Sequence, residues 1–277
     1  MKHITAALIF LLFAAVAAAE DPKPFAGGSG TFTKLVWADE FDYTGLPNPE
    51  KWGYEEGYCR NQELQYYTKE RLENAEVKDG SLVITARKEH FKVGVKGFEK
   101  GISTISSASL HTQGKGFWDN GRIEVRAKLP LCLGTWPAVW MMPNENRGKG
   151  WPHCGEIDIM EHVGWEPDTV HITVHTSASK KGPPFSGTTT KCTTVSTEYH
   201  VYAIEWFKDR MDFYFNDKKM YTYKNEGIGD EQYPFDKPFY LILNLAFGGA
   251  WGDDRGIDQS KLPQSYYIDY VRVWQKK

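Results

Sequence analysis

The sequence predicts an all-β fold, a jelly-roll β-sandwich of two antiparallel sheets with a concave cleft. β-branched and aromatic residues are gathered in short runs, and clusters of Gly, Pro, Asn and Asp separate these runs. No stretch keeps a 3.6-residue apolar period over three helical turns. Aromatic residues make up 14% of the chain, which suits the core of a large sandwich.

Seven segments carry the strand signal. Residues 122–128 alternate between polar and apolar side chains, as expected of a strand with one buried face. Residues 239–247 are apolar almost throughout, which predicts a central strand buried on both faces. The predicted strands span residues 81–86, 122–128, 170–176, 200–206, 211–215, 239–247 and 267–274.

The beginning of the chain predicts a cleaved signal peptide over residues 1–19. Lys2 gives a positive start, an apolar run follows, and Ala17 and Ala19 have the spacing of a cleavage site. The run is shorter than the ~20 apolar residues that cross a bilayer, which argues against a membrane anchor. We therefore expect a secreted protein, with a flexible lead-in over residues 20–30 and one domain over residues 31–277.

The charge balance limits the partners of this domain. The chain has 33 Lys and Arg residues against 36 Asp and Glu residues, with no block of like charges. Nucleic acids and anionic membranes attract a basic surface, so neither is expected as a partner. A monomer that acts on a neutral substrate fits this composition better.

The cysteines predict disulfide bonding. An even number of cysteines in a secreted chain makes at least one disulfide expected, and the three alternative pairings stay open. No pair has the C-x-x-C spacing, so a zinc site is not expected. The four residues are Cys59, Cys132, Cys154 and Cys192.

Three acidic residues lie close together within residues 154–162. Glu156 and Asp158 alternate with apolar residues, which predicts a strand with both acids on one face. Glu161 is five residues from Glu156 and would point to the other face unless a β-bulge near residues 159–160 turns it back. Acids are poor strand formers and repel one another, so this pattern favours catalysis over a solvated face or a calcium site. Two carboxyl groups ~5–5.5 Å apart can perform double displacement at a sugar carbon.

Residues 156–161, EIDIME, resemble the E-x-D-x-x-E signature of glycoside hydrolase family 16. The resemblance extends from about Val36 to Trp274 and is to the laminarinase (endo-1,3-β-glucanase) branch. Licheninases resemble this branch but carry the shorter E-x-D-x-E spacing. The similar segments are residues 37–42, 60–68, 121–128, 136–140, 171–175, 244–249 and 269–273.

The resemblance implies a secreted, endo-acting hydrolase that cleaves β-1,3-glucan with retention. In it Glu156 is the nucleophile, Asp158 holds and tunes the nucleophile, and Glu161 is the general acid/base. No cofactor is expected for catalysis. The alternatives are a hydrolase of the same family that acts on β-1,3-1,4-glucan or an algal galactan, and a β-glucan-binding protein without catalysis.

Five residues are expected to bind the sugar chain. Trp136 and Trp140 are four residues apart in a predicted strand, so their rings share one face, as two stacking rings in a groove would. Core packing is the alternative for either ring. The resemblance implies a substrate-binding role for Asn61 and His175, and also for Trp251.

The resemblance also implies a structural calcium ion on the face away from the cleft. The matching residues are Glu40, Gly80 and Asp269, two of them through backbone carbonyls. The sequence alone would not indicate this site, because carboxylates from two distant segments are a weak calcium pattern.

Overall fold

The computed structural model describes residues 22–25, 27–92, 102–145, 148–178 and 186–277. The predicted signal peptide lies outside these residues. Among the residues that are described, no helix has the length and apolar character needed to cross a membrane.

Strands dominate the described chain, with one short helix, α1 (Gly249–Gly252), and a 3₁₀ turn over Gln259–Lys261. The strands are β1 (Lys34–Asp39), β2 (Gly53–Tyr54), β3 (Tyr66–Tyr67), β4 (Ala75–Lys78), β5 (Ser81–Lys92), β6 (Ile102–Ser107), β7 (Ser109–His111), β8 (Gly121–Lys128), β9 (Thr135–Pro143), β10 (Glu156–Glu161), β11 (Thr169–His175), β12 (Ser186–Lys191), β13 (His200–Trp206), β14 (Arg210–Phe215), β15 (Lys218–Lys224), β16 (Phe239–Phe247) and β17 (Gln264–Gln275).

The strands form two sheets, and nearly all of the pairs are antiparallel. The larger sheet has the order β15-β14-β13-β8-β17-β5-β6-β3, with β1 paired to β17 and β4 to β5. The smaller sheet has the order β12-β11-β10-β9-β16-β7-β2. The prediction of an all-β sandwich of two sheets is confirmed.

One apolar core lies between the sheets. On β8, Ile123 and Val125 are fully buried in this core, while Glu124 between them points to the outer face, where it is also fully buried. The strand is therefore covered on both faces here, not on one as its alternation predicted. On β16, Leu241 and Leu243 enter the same core, and Ile242 is buried on the opposite face. The prediction that this central strand is buried on both faces is therefore confirmed.

The described part of the predicted lead-in is bound to the outer face of the larger sheet. The backbone N–H of Phe25 donates to Glu124 Oε1 at 2.9 Å, and that of Ser29 donates to Glu205 at 3.0 Å. Both carboxylates are buried and also pair with Arg122. The lead-in is thus held more firmly than the sequence suggested, because it supplies hydrogen bonds to buried charges.

All four cysteines are free thiols in the structure, so the prediction of a disulfide is wrong. They lie in four separate loops, and the sulfur atoms of Cys59, Cys132 and Cys192 contact polar atoms of other residues. Cys132 Sγ is 3.4 Å from the carbonyl oxygen of Asp258, and Cys192 Sγ is 3.6 Å from His200 Nε2. An even count of cysteines says nothing about whether the fold brings two of them together.

Candidate active site

Strand β10 carries the acidic motif at the centre of the smaller sheet. Against β11, Asp158 pairs with Thr173, but Glu161 pairs with His171 instead of continuing the regular register. Against β9, the register shifts between Asp158 and Met160. The predicted β-bulge is therefore present and adds one residue between the second and third acids.

The bulge places two consecutive side chains in the core. Ile159 is 1% exposed and Met160 is fully buried, and both pack in the cluster between the sheets. A regular strand would send one of them to the other face. Because both point inward, Glu161 returns to the concave face with Glu156 and Asp158.

Glu156, Asp158 and His175 form a compact polar group on that face. Glu156 and His175 are directly opposed on β10 and β11. His175 Nε2 lies 3.1 Å from Asp158 Oδ2 and 3.8 Å from Glu156 Oε1. The imidazole therefore bridges the two acids from the neighbouring strand.

Burial dominates the electrostatics of the two acids. Burial first, and the charge of the neighbouring Asp158 second, raise the pKa of Glu156 to about 8 against the opposing effect of His175. Burial likewise raises the pKa of Asp158 to about 8, while a hydrogen bond with Glu156 acts in the other direction. Two adjacent carboxylates in a desolvated site resist ionising together, so the pair holds one proton between its two members near neutral pH.

The pKa of Glu161 is raised, like those of the other two acids. Burial raises its pKa well above the usual value, and the charges of Asp158 and Glu156 add to this effect. The indole N–H of Trp136 donates to Glu161 Oε1 at 3.1 Å and opposes the shift. A carboxyl group with a raised pKa keeps its proton to higher pH than an ordinary glutamate and can donate it to a substrate.

The three acids line a cavity of about 290 Å³ on the concave face, together with the predicted residues Asn61, Trp136 and Trp140. Trp140 is only 8% exposed, and its N–H donates to Asn244 Oδ1 at 2.7 Å. The guanidinium of Arg60 lies 4.8 Å from the Trp140 ring. Trp140 therefore forms part of the cleft floor, whereas Trp136 is the more exposed ring of the two.

Trp251 lies on α1, behind the cavity-lining Trp136, and does not itself line the cavity. Its ring contacts the Trp136 ring edge-on, with centroids 5.4 Å apart. It also contacts the His171 ring at 4.8 Å. The structure thus brings all of the sequence-predicted binding residues to the concave face, with His175 at the centre and Trp251 at the margin.

Comparison with known proteins identifies the family. The family model "Glycosyl hydrolases family 16" matches residues 62–272. The chain belongs to glycosyl hydrolase family 16. It is a glycoside hydrolase, as the resemblance of its acidic motif implied.

The family relatives include several glucanases. The chain is 48% identical to the beta-glucanase of Rhodothermus marinus over 252 residues, 87% of this chain and 85% of the relative. The laminarinase structure from Rhodothermus marinus matches with a TM-score of 0.81 and 44% identity, and covers 88% of this chain and 98% of its own. The structure of SCLam, described as a non-specific endo-β-1,3(4)-glucanase, matches with a TM-score of 0.82 and 41% identity, over 93% of this chain and 95% of its own.

Several residues of this family 16 cleft were not singled out from the sequence. The indole N–H of Trp151, from the loop before β10, donates to Glu156 Oε2 at 2.9 Å. Arg60 pairs with Glu55, and Asn244 accepts from Trp140 and donates to the hydroxyl of Tyr67 at 3.0 Å. A tryptophan in a loop just before the acidic motif was a usable signal for Trp151, whereas the others depend on contacts between distant segments.

The residues of the implied calcium site lie on or beside paired strands, but arginines occupy their carboxylates. Glu40 follows β1 and Gly80 precedes β5, and both strands pair with β17, which carries Asp269. Both oxygens of Glu40 bind Arg272, at 2.8 and 2.7 Å, and Asp269 binds Arg126 at 2.6 Å. The carboxylates therefore do not fit a calcium site as they stand, and only backbone carbonyls of these residues would be available to an ion.

Proposed function

We propose that this family 16 hydrolase is an endo-acting β-1,3-glucanase that retains the configuration of the anomeric carbon. The observation that carries the proposal is the bulge in β10, which brings Glu161 to the same face as Glu156. Hydrolysis by inversion needs space for a water between two carboxyl groups, whereas retention needs the two groups close together. The effect of the Glu156 charge on the pKa of Glu161 supports such proximity.

In the first step, Glu156 attacks the anomeric carbon and forms a glycosyl–enzyme ester. The shared proton of the acidic pair then belongs on Asp158, which leaves the negative charge on Glu156. The indole N–H of Trp151 and the imidazole of His175 stabilise that charge and orient the carboxylate. Glu161 donates its proton to the glycosidic oxygen as the bond breaks.

In the second step, Glu161 accepts a proton from water, which attacks the ester and releases the sugar. The same carboxyl group therefore acts first as an acid and then as a base. Its pKa falls when Glu156 becomes an uncharged ester, because one of the neighbouring negative charges disappears. The higher pKa suits the first step, in which Glu161 is an acid, and the lower pKa suits the second step, in which it is a base.

Groove walls on both sides of the acids support endo cleavage. On one side, a further cavity of about 610 Å³ is lined by residues that include Met142, Trp151 and Tyr240. On the other side, Trp251 and His171 extend the surface beyond Trp136. A polysaccharide can lie across both regions with the scissile bond over Glu156 and Glu161.

The substrate class follows from the relatives and from the charge of the cleft. The relatives named as laminarinases support β-1,3-glucan, and the relative named as a β-1,3(4)-glucanase supports mixed-linkage glucan as the second candidate. Arg60 is neutralised by Glu55, while Glu63 adds to the acids of the cleft. A sulfated galactan is disfavoured by this negative surface. A binding module without catalysis would not need two buried acids with raised pKa values.

Secretion, a monomeric state and a polysaccharide partner complete the proposal. Secretion rests on the pattern of residues 1–19, and the balanced charge supports a neutral partner rather than nucleic acid or membrane. Mass spectrometry of the N-terminus of the exported protein would test cleavage after Ala19, and light scattering would test the monomer.

Stereochemistry and chemical rescue test the mechanism. Early NMR spectra of the products from laminarin should show the β-anomer first. Glu156→Ala should be nearly inactive and should form an α-glycosyl azide when azide is added, because the anion occupies the position of the lost carboxylate. Glu161→Ala should form a β-azide, and only with a substrate that has a good leaving group.

Matched substrates test the linkage. Laminarin should be cleaved to oligosaccharides of several lengths, lichenan more slowly, and agarose not at all. Initial formation of the α-anomer, or full activity in either glutamate variant, would contradict the mechanism. Release of single glucose units alone would contradict endo cleavage, and faster cleavage of lichenan would favour the second candidate.

A further inference from the structure

His171 occupies a distinctive place in the cleft that the proposed mechanism does not use. It lies directly opposite Glu161 in the ladder between β10 and β11. Directly opposed residues on one face of antiparallel strands have Cβ atoms ~4.5–5.5 Å apart. His171 is therefore the residue of β11 nearest to the general acid/base in the strand pairing.

Glu166 fixes the orientation of this imidazole. His171 Nε2 lies 3.0 Å from Glu166 Oε2, and Lys191 Nζ lies 3.4 Å from the other oxygen of Glu166. Burial lowers the pKa of His171, so the neutral ring donates its Nε2 proton to the carboxylate. The ring is thus held by a charge-assisted hydrogen bond.

The same imidazole supports Trp251. The two rings meet edge to face, with centroids 4.8 Å apart and an interplanar angle of 84°. The carbonyl oxygen of Trp251 accepts a hydrogen bond of 2.8 Å from the indole of Trp165, which anchors α1 at this position. Trp251 therefore has fixed neighbours on two sides.

Trp251 in turn supports the donor to Glu161. Its ring meets the Trp136 ring at 87° with centroids 5.4 Å apart, and Trp136 donates to Glu161 Oε1 at 3.1 Å. A contact path thus leads from Glu166 through His171, Trp251 and Trp136 to the oxygen of Glu161. Each of these contacts restricts a side-chain rotation in the next residue.

We propose that His171, oriented by Glu166, is a positioning residue for the general acid/base Glu161. Its ring packs against Trp251, which packs against Trp136, and Trp136 holds the carboxyl group of Glu161. Without the ring, Trp251 and Trp136 gain freedom, and Glu161 spends less time where it can protonate the glycosidic oxygen. The inference rests on the proposed role of Glu161.

Leaving-group dependence tests this role, because misplacement of an acid matters only when the leaving group needs a proton. The substrates are the β-laminaribiosides of 4-methylumbelliferone and of 2,4-dinitrophenol, the second of which leaves without protonation. General acid catalysis contributes ~10²–10⁴-fold, so its partial loss in His171→Ala should lower kcat/KM for the first substrate about tenfold. The value for the second substrate should change less than about twofold on the same grounds.

Variants of Glu166 separate positioning from general damage to the fold. Glu166→Ala should behave like His171→Ala. Glu166→Gln should recover most of the activity, because the amide oxygen still accepts the proton of His171. His90→Ala, at an exposed histidine on the larger sheet, is the matched control and should equal the wild type with both substrates.

Glu161→Ala, measured in parallel, distinguishes the two proposals. Glu161→Ala should lose activity selectively on the methylumbelliferyl substrate. If it does, but His171→Ala keeps full activity or loses the same factor on both substrates, His171 does not position the acid. Failure of Glu166→Gln to exceed Glu166→Ala would also overturn the inference. If Glu161→Ala itself shows no selectivity, the proposed function fails as well.

Discussion

Glu156→Gln should make the folded protein more stable at neutral pH, although it removes the nucleophile. The side chain is 17% exposed, and burial with Asp158 raises its pKa from 4.5 to about 8. The pair of Glu156 and Asp158 therefore retains one proton in the folded state that the unfolded chain releases above pH 4.5. The amide of Gln has a similar shape and carries no charge at any pH in this range.

The sign of the stability change follows from the difference in proton binding between the folded and unfolded states. Below about pH 4.5, Glu156 is protonated in both states and its pKa shift costs nothing. Between pH 4.5 and 8 the unfolded state gains stability by releasing the proton, so the folded wild type loses stability as the pH rises. Within this window, each pH unit lowers the free energy of unfolding by about 1.4 kcal/mol for one group that keeps its proton only in the folded state.

The expected advantage of Glu156→Gln at pH 7 is therefore up to about 3 kcal/mol, and water in the cleft reduces it toward about 1 kcal/mol. For a domain of this size, about 1 kcal/mol corresponds to roughly 2–4 °C in Tm. Thermal unfolding followed by circular dichroism from about pH 4 to about pH 9, at constant ionic strength, measures the difference directly.

The pH dependence of the difference is the decisive result. The two Tm curves should coincide near the acid end of this range and separate as the pH rises. Glu198→Gln, at an exposed position, should stay within about 0.5 kcal/mol of the wild type throughout. A Glu156→Gln variant that is less stable than the wild type at neutral pH, or that differs by the same amount at every pH, would refute the reasoning.

Three further predictions concern other parts of the molecule. Trp136→Phe removes the N–H that binds the protonated Glu161, a hydrogen bond worth ~0.5–1.5 kcal/mol, so kcat/KM should fall about two- to tenfold. Because this N–H lowers the pKa of Glu161, the alkaline limit of the pH–activity profile should move to higher pH, and an unchanged profile would contradict this role. Titration of the unfolded protein without reductant should find four thiols, and two or none would show a disulfide that the structure lacks. A calcium ion held by backbone carbonyls near Asp269 should make Tm fall in excess EDTA, and an unchanged Tm together with elemental analysis that finds no metal would rule the ion out.

The sequence by itself determined which strand carries the three acids and that this strand contains a bulge. Side-chain alternation in a strand is local, so the five-residue spacing of Glu156 and Glu161 required a bulge wherever the strand lay in the fold. The same local rule indicated the buried face of residues 122–128 and the apolar strand over residues 239–247. These predictions needed no knowledge of which strands are neighbours.

Tertiary structure alone decided how the three acids of β10 are held. Trp151 reaches Glu156 from a loop, and Glu166 orients His171 against a tryptophan from a distant segment of the chain. The sequence also did not predict that the four thiols are separate or that the lead-in binds to buried carboxylates. Such contacts join segments that are far apart in sequence, and their geometry depends on loop conformation and sheet packing, which residue spacing does not encode.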